Sequence, residues 1–281
     1  MNSTTAKLEK PQSPDIEPWQ LRMFRRSLKK QQKSRALLEV LGTVDGQKCL
    51  LITCGDNNGA LNWHFKNRGG SWTWADAEED SVGHIKEVTR DPVTKLDKEA
   101  PCLPFPDDYF DVVMTIDVHE HLTSPHEINV ELARVVKTGG RIIVTTPSGD
   151  QTKMANRIKK WVGMRKEDYG HIVDGYDLPD LEKQLKNVSL LPVGCSSYSG
   201  FFTETIELMI NLAYVKFMAK RSKVLVRTGQ IIPQSKEQMK AVEKSYKIYS
   251  VLYPFIRALS KLDNLASFGR GYAVIVVATK A

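Results

Sequence analysis

Six apolar runs punctuate the chain, at 49–54 (CLLITC), 70–76 (GSWTWAD), 111–118 (DVVMTIDV), 141–146 (RIIVTT), 188–195 (VSLLPVGC) and 272–279 (YAVIVVAT). Strands buried on both faces read as continuous runs of this kind, whereas half-exposed strands alternate. Polar segments with helical spacing separate them, so the pattern predicts a parallel α/β sheet. A weaker strand is expected near 85–89. Residues 1–18 are polar, contain three prolines and read as a mobile tail. A helix is expected over 19–42, ending at Gly42. Between the last two strands, FFTETIELMINLAYVKFM and YKIYSVLYPFIRAL would each present a broad apolar face if helical. The organisation expected is a tail and basic helix over 1–45, an α/β core over 46–202, a helical insertion over 203–268 and a final core strand over 269–281.

Composition narrows the class without naming it. The 281 residues are 41% hydrophobic and 26% charged, which excludes a disordered chain, a fibre and a disulfide mini-protein. Cys49, Cys54, Cys102 and Cys195 form no CxxC pair and read as reduced thiols of a cytoplasmic protein. No run of about 18 uncharged apolar residues is present, and the first fifteen residues lack the apolar centre of a secretory leader.

Charge adds more. Residues 22–35 hold seven bases and no acid, and 203–268 hold eleven bases against five acids, so an acidic body carries two basic additions. Such additions seek anions: phospholipid head groups, phosphorylated substrates or nucleic acid. For 22–35 a solvated helix face is an equal reading. In 203–268 the bases alternate with aromatic and aliphatic residues, which leaves two readings open, a pocket cap or a lipid-contacting surface.

In open parallel sheets, ligands bind beyond the carboxyl ends of the strands. Beyond the first run lies Cys54-Gly55-Asp56-Asn57-Asn58-Gly59-Ala60, whose Gly and Asn residues permit a sharp turn that brings backbone N–H groups to a ligand. Asp76 and Glu78 follow the second run, Asp117-Val118-His119-Glu120-His121 the third, and Thr146-Pro147-Ser148 the fourth. Neither GxGxxG nor a phosphate-binding GxxxxGK[ST] loop occurs. His119 and His121, two apart, do not share a helix face, so no metal site is expected.

The segment LPFPDDYFDVVMTIDVHEHLTSPHEINVELARVVKTGGRIIVTTPS (103–148) strongly resembles class I S-adenosylmethionine-dependent methyltransferases, and most of all their small-molecule and lipid branch. Thr138 stands where that family prefers Pro; Leu51, Thr53 and Asn57 replace the acid and two glycines of its first motif. The resemblance implies a Rossmann-like, doubly wound, mostly parallel seven-stranded sheet with an antiparallel last strand. It implies S-adenosylmethionine as cofactor, held by Cys54, Gly55, Asp56 and Gly59 of the loop, Asp76 at the ribose, and Asp117 and Val118 near the methionine end. Residues 97–100 would lie beside adenine. Asp76 also suits a helix N-cap. The segment 169–176 (YGHIVDGY) resembles a family segment that approaches the acceptor, which makes His171, and next His121, the candidate catalytic groups.

Methyl transfer from a sulfonium is an in-line displacement that asks the protein mainly for alignment and exclusion of water. A hydroxyl acceptor adds the need for a base, and His is suited near neutral pH. The expectation is a methyltransferase for a lipid-like or isoprenoid-like small molecule, peripheral at the inner, anionic face of a membrane. A soluble sugar or metabolite as acceptor, or a non-catalytic protein keeping the fold, are the alternatives. Nucleic acid is disfavoured, because the basic segments interleave with aliphatic more than stacking side chains.

Overall fold

The computed structural model describes residues 17–55, 57–100, 102–213, 236–265 and 271–281. Its strands, in chain order, are β1 (Lys48–Thr53), β2 (Ser71–Asp76), β3 (Val93–Lys95), β4 (Phe110–Ile116), β5 (Val136–Pro147), β6 (Leu190–Tyr198) and β7 (Ala273–Lys280). They form one sheet in the order β3-β2-β1-β4-β5-β7-β6. Pairing is parallel from β3 to β5, and β7 runs antiparallel to both β5 and β6. This is the expected doubly wound sheet. Its order reverses between β1 and β4, so their carboxyl ends flank the crevice where such sheets take ligands.

The runs are continuous because both faces of the sheet are covered. Along β1, Leu50 and Ile52 enter one apolar layer, together with Val113, Val144 and Val276. Cys49 and Leu51 enter the opposite layer with Met114, Ile143 and Ile275. The first layer is closed by α5 (Pro125–Val135) and α7 (Leu178–Lys186), through Ile128, Leu132, Leu181 and Leu185. The second is closed by α1 (Trp19–Phe24), α2 (Leu28–Leu41), α3 (Ala60–Lys66) and α4 (Glu79–Thr89), through Leu21, Phe24, Leu37, Leu41, Phe65 and Ile85. The remaining α-helices among the described residues are α6 (Met154–Trp161), α8 (Phe201–Ala213), α9 (Lys236–Ala241) and α10 (Glu243–Ser260).

Two expectations are corrected. Residues 85–89 belong to α4, where Val82, Ile85 and Val88 are buried at a helical spacing of three; the third strand is the short β3 instead. The N-terminal helix is two helices, because Ser27 adopts an extended conformation and its carbonyl begins α2. That break lets Phe24 and Leu37 reach the same core layer, so α1 and α2 are part of the body and not an appendage. The helix α8 begins at Phe201, so the bound expected at 202/203 falls within it. The tail over 1–16, residue Asp56 and the insertion segments 214–235 and 266–270 lie outside the described residues.

One face of α10 lies against the N-terminal helices. The hydroxyl of Tyr246 donates to the Arg22 carbonyl at 3.0 Å, that of Tyr249 to the Arg26 carbonyl at 2.5 Å, and Gln31 donates to the Tyr253 oxygen at 2.8 Å. On a different face Ile248, Val251, Leu252, Phe255 and Leu259 are exposed.

Candidate active site

The loop after β1 is held by its own polar side chains. The Asn57 oxygen accepts the Gly59 N–H at 2.9 Å, and its amide donates to Thr53 Oγ1 at 3.0 Å and Asn62 Oδ1 at 2.9 Å. Asn58 accepts the Ala60 N–H at 3.2 Å, satisfying a donor in the first turn of α3. Gly55 has a φ of +76°, and a Cβ there would lie 2.9 Å from Glu78 Cγ, so only glycine fits without strain.

Asp76 ends β2 fully buried beneath this loop. One carboxylate oxygen accepts the N–H groups of Gly55 (3.1 Å) and Glu78 (2.7 Å), and the other accepts the Thr53 hydroxyl. Burial pushes its pKa up to about 6 against the pull of these donors. The residue expected at a ribose is therefore a strut under the loop, with both oxygens engaged. It precedes α4 by too much to be its N-cap, a place Glu78 takes. Glu78 instead offers the half-exposed carboxylate at this end of the crevice, paired with Lys98. Cys54 and Val118 are buried apolar neighbours, and burial raises the Cys54 thiol to about 12, which removes it as a nucleophile.

Across the crevice, Asp117 follows β4 with a φ of +50°. Its Oδ2 is ion-paired with Lys33 of α2, while Oδ1 is buried with no hydrogen-bond partner. Burial would raise this carboxyl, but the charge and hydrogen bond of Lys33, together with the more distant Lys29, hold it below its ordinary value. Phe24, Lys33, Gly55, Asn57, Asp117, His121, Tyr169 and His171 together line a cleft of about 70 Å³.

The histidines separate into two kinds. His119 is fully buried, its Nε2 2.9 Å from Asn129 Oδ1, and burial lowers its pKa to about 4. It is a core residue. His121 turns the other way, its Nδ1 2.9 Å from the Gly170 carbonyl, and its ring meets that of His171 edge to face at 4.7 Å. Burial, followed by the neighbouring His121, lowers His171 to about 3, so its ring is neutral. Glu120 is fully buried; burial and then Asp117 raise its pKa to about 8, with the Thr146 hydroxyl donating to it at 3.1 Å. A carboxylate oxygen of Glu120 and one ring nitrogen each of His121 and His171 lie within 4.8 Å of one another. Sequence spacing alone, which weighs His119 against His121, does not reveal this cluster.

The structure thus gathers Gly55, Asp117, His121 and His171 at one cleft and sets Gly59 at the start of α3, with Asp76 beneath the loop. Lys33 and Glu120 were not singled out by the sequence; the only signal for Lys33 was the basic run 22–35. Part of that run is internal, because Lys29 of α2 and Lys159 of α6 both pair with the buried Glu204 of α8.

Residues 50–144 match the sequence profile of a family described as a methyltransferase domain. Over 117 residues the chain is 32% identical to demethylmenaquinone methyltransferase of Mycolicibacterium paratuberculosis, covering 41% of this chain. The chain spans about half the length of that curated relative, 49%. Two solved structures share the fold. One is phosphoethanolamine N-methyltransferase 2 of Haemonchus contortus in complex with S-adenosyl-L-methionine, with 17% identity, TM-score 0.54, and coverage of 89% of this chain and 52% of that one. The other is geranyl diphosphate C-methyltransferase of Streptomyces coelicolor in complex with Mg2+, geranyl diphosphate and S-adenosyl-L-homocysteine, with 13% identity, TM-score 0.52, and coverage of 90% and 78%. The sheet order, its antiparallel last strand and the crevice at the β1/β4 switch define a Rossmann-like methyltransferase fold. The matched methyltransferase domain, residues 50–144, lies in the sheet's first five strands.

Proposed function

We propose that this protein transfers a methyl group from S-adenosylmethionine to a lipid-like, isoprenoid-type acceptor at a membrane surface. The observation that carries the first part is the Lys33–Asp117 ion pair set against a sharply bent glycine loop. The methionine end of the cofactor is a zwitterion. Asp117, with one buried oxygen lacking a partner, suits its ammonium, and Lys33 suits its carboxylate. Glu78, half-exposed beside Gly55, suits the ribose hydroxyls, and Asp76 keeps the loop in shape. Bound there, the cofactor supplies an electrophilic sulfonium methyl. The chain's own work is then alignment and exclusion of water, for which Phe24 and α2 roof the cleft. His121 and His171 stand at the acceptor side and present ring nitrogens to it.

The acceptor class is supported by α10. Its exposed residues 248, 251, 252, 255 and 259 recur at helical spacing, with Val251 79% and Phe255 66% exposed. Lys244, Lys247, Arg257 and Lys261 accompany them. An apolar stripe bordered by bases suits the head-group region of an anionic bilayer. The relatives that act on a menaquinone precursor and on geranyl diphosphate, by their names, lend the isoprenoid reading support.

The test supplies methyl-labelled S-adenosylmethionine and a total lipid extract. Label is expected in the organic-soluble fraction. Label confined to water-soluble products would replace the lipid acceptor by a soluble one, and no transfer at all to either fraction would overturn catalysis.

A further inference from the structure

The Glu120–His121–His171 cluster is built more fully than a catalytic base requires. The turn His119–His121 and the loop carrying His171 are clamped together, because the Glu120 carbonyl accepts the N–H groups of Ile172 (2.7 Å) and Val173 (3.3 Å). Gly175 holds the far end of that loop against β5: with φ +127°, a Cβ there would fall 2.1 Å from the Pro147 carbonyl oxygen. The His121 ring is oriented by the Gly170 carbonyl. A carbonyl only accepts, so Nδ1 carries the proton and Nε2 the lone pair, the backbone-anchored arrangement found behind metal-ligating imidazoles. Glu120 uses one oxygen for the Thr146 hydroxyl, and its Oε1 is buried with no partner.

We propose that Glu120, His121 and His171 form a binding site for a divalent transition-metal ion at the acceptor end of the cleft. Two imidazoles and one carboxylate are the donor set of Zn2+, Mn2+, Fe2+ or Co2+ sites, whereas Mg2+ prefers oxygen ligands alone. Three protein ligands leave coordination positions open for a substrate oxygen. Ligand distances of about 2.1 Å put donors on one ion roughly 3.4 Å apart, so the donors, now within 4.8 Å, draw together on binding. Asp117, Lys33 and Tyr169 line the adjoining cleft, which sets the ion between the cofactor side and the acceptor.

The ion site stands on this geometry alone; its place in the reaction rests on the methyltransferase reading above. A hydroxyl or enol oxygen coordinated there releases its proton to water more readily. The resulting oxygen lone pair forms the new O–C bond as the S–C bond breaks, and the electron pair of that bond stays on sulfur as a neutral thioether. A coordinated imidazole has no lone pair for a proton, so in the loaded protein the ion takes the place of a histidine base.

The experiment strips the full-length protein with a chelator and titrates it with Co2+, followed by visible absorption, and with Zn2+, followed by calorimetry. One saturable ion per chain with a ligand-field spectrum is expected. His171→Ala should abolish the spectrum, and Glu120→Gln should weaken binding at least about tenfold, with unchanged far-UV circular dichroism in both. His171→Asn provides a second check should the alanine variant misfold. The absence of saturable binding up to millimolar ion, or an unchanged spectrum in folded His171→Ala, would overturn the site. S-adenosylmethionine affinity is measured on the same samples; its absence in the wild type would count against the methyltransferase reading and not against the ion.

Discussion

Glu204→Gln is expected to be among the most destabilising conservative substitutions in the described structure. The Glu204 side chain is almost wholly buried and receives Lys159 Nζ at 2.6 Å, Lys29 Nζ at 2.9 Å and the Ser199 hydroxyl at 2.7 Å. These contacts join α2, α6 and α8 with the end of β6. Burial alone would raise the carboxyl, but the two ammonium groups and their hydrogen bonds hold it far below its ordinary range. Removing one partner from a buried ionic cluster costs about 3–5 kcal/mol, because the remaining charges lose their counter-ion. Lys29 and Lys159 keep 28% and 22% of their side chains exposed, so water relieves part of that cost and a loss of about 3 kcal/mol is expected. Lys159→Met should cost only about 1 kcal/mol, since Glu204 keeps Lys29. The pH dependence follows from the depressed folded-state value. The stabilisation is complete above the ordinary value of 4.5 and declines as pH falls below it. Urea denaturation at pH 7 and pH 3 should therefore show the wild-type advantage over Glu204→Gln shrinking at the lower pH. A loss under 1 kcal/mol at pH 7, or an equal loss for Lys159→Met, would refute the account of this cluster.

Asp76, with its pKa raised from 3.8 to about 6, has the opposite sign: the wild type gives up roughly 3 kcal/mol as pH rises from 4 past 6. Asp76→Asn keeps an oxygen for the Gly55 and Glu78 N–H groups and removes that loss, so denaturation curves of the two proteins should diverge towards neutral pH in favour of the variant; parallel curves would contradict it. If α10 is the membrane contact proposed above, Phe255→Asp should lower sedimentation with anionic vesicles at least tenfold while leaving circular dichroism unchanged, and equal sedimentation of both proteins would overturn that proposal.

The strands that frame the crevice were legible because burial on both faces leaves an uninterrupted apolar signature, as in CLLITC and RIIVTT. β3 was not, since three residues at the sheet's edge contain a single apolar side chain, Val93. The residues 85–89 misled for a related reason. Val88 and Ile85 fit a strand as a short run, and only Val82 three positions earlier marks the helix. At the site, glycine and carboxylate positions after each strand were readable because the fold dictates where loops converge. Their roles were less so. A carboxylate at a strand end looks the same in sequence whether it faces a ligand or braces a loop, and Asp76 braces. His121 and His171 lie fifty positions apart and meet only through the turn at Gly170 and the clamp on the Glu120 carbonyl. Lys33 and Lys29 belong to a basic run that suits a solvated face and an anion-seeking segment equally, and they owe their inward roles to the break at Ser27 and the packing of α2 across the crevice.

Calorimetric titration of the wild type and Asp117→Asn with S-adenosylmethionine tests the central claim most directly. Saturable one-to-one binding is predicted, weakened about tenfold or more in the variant by the loss of a charge-assisted contact. No binding by the wild type, or equal affinity in the two proteins, would contradict the assignment of this crevice as the cofactor site.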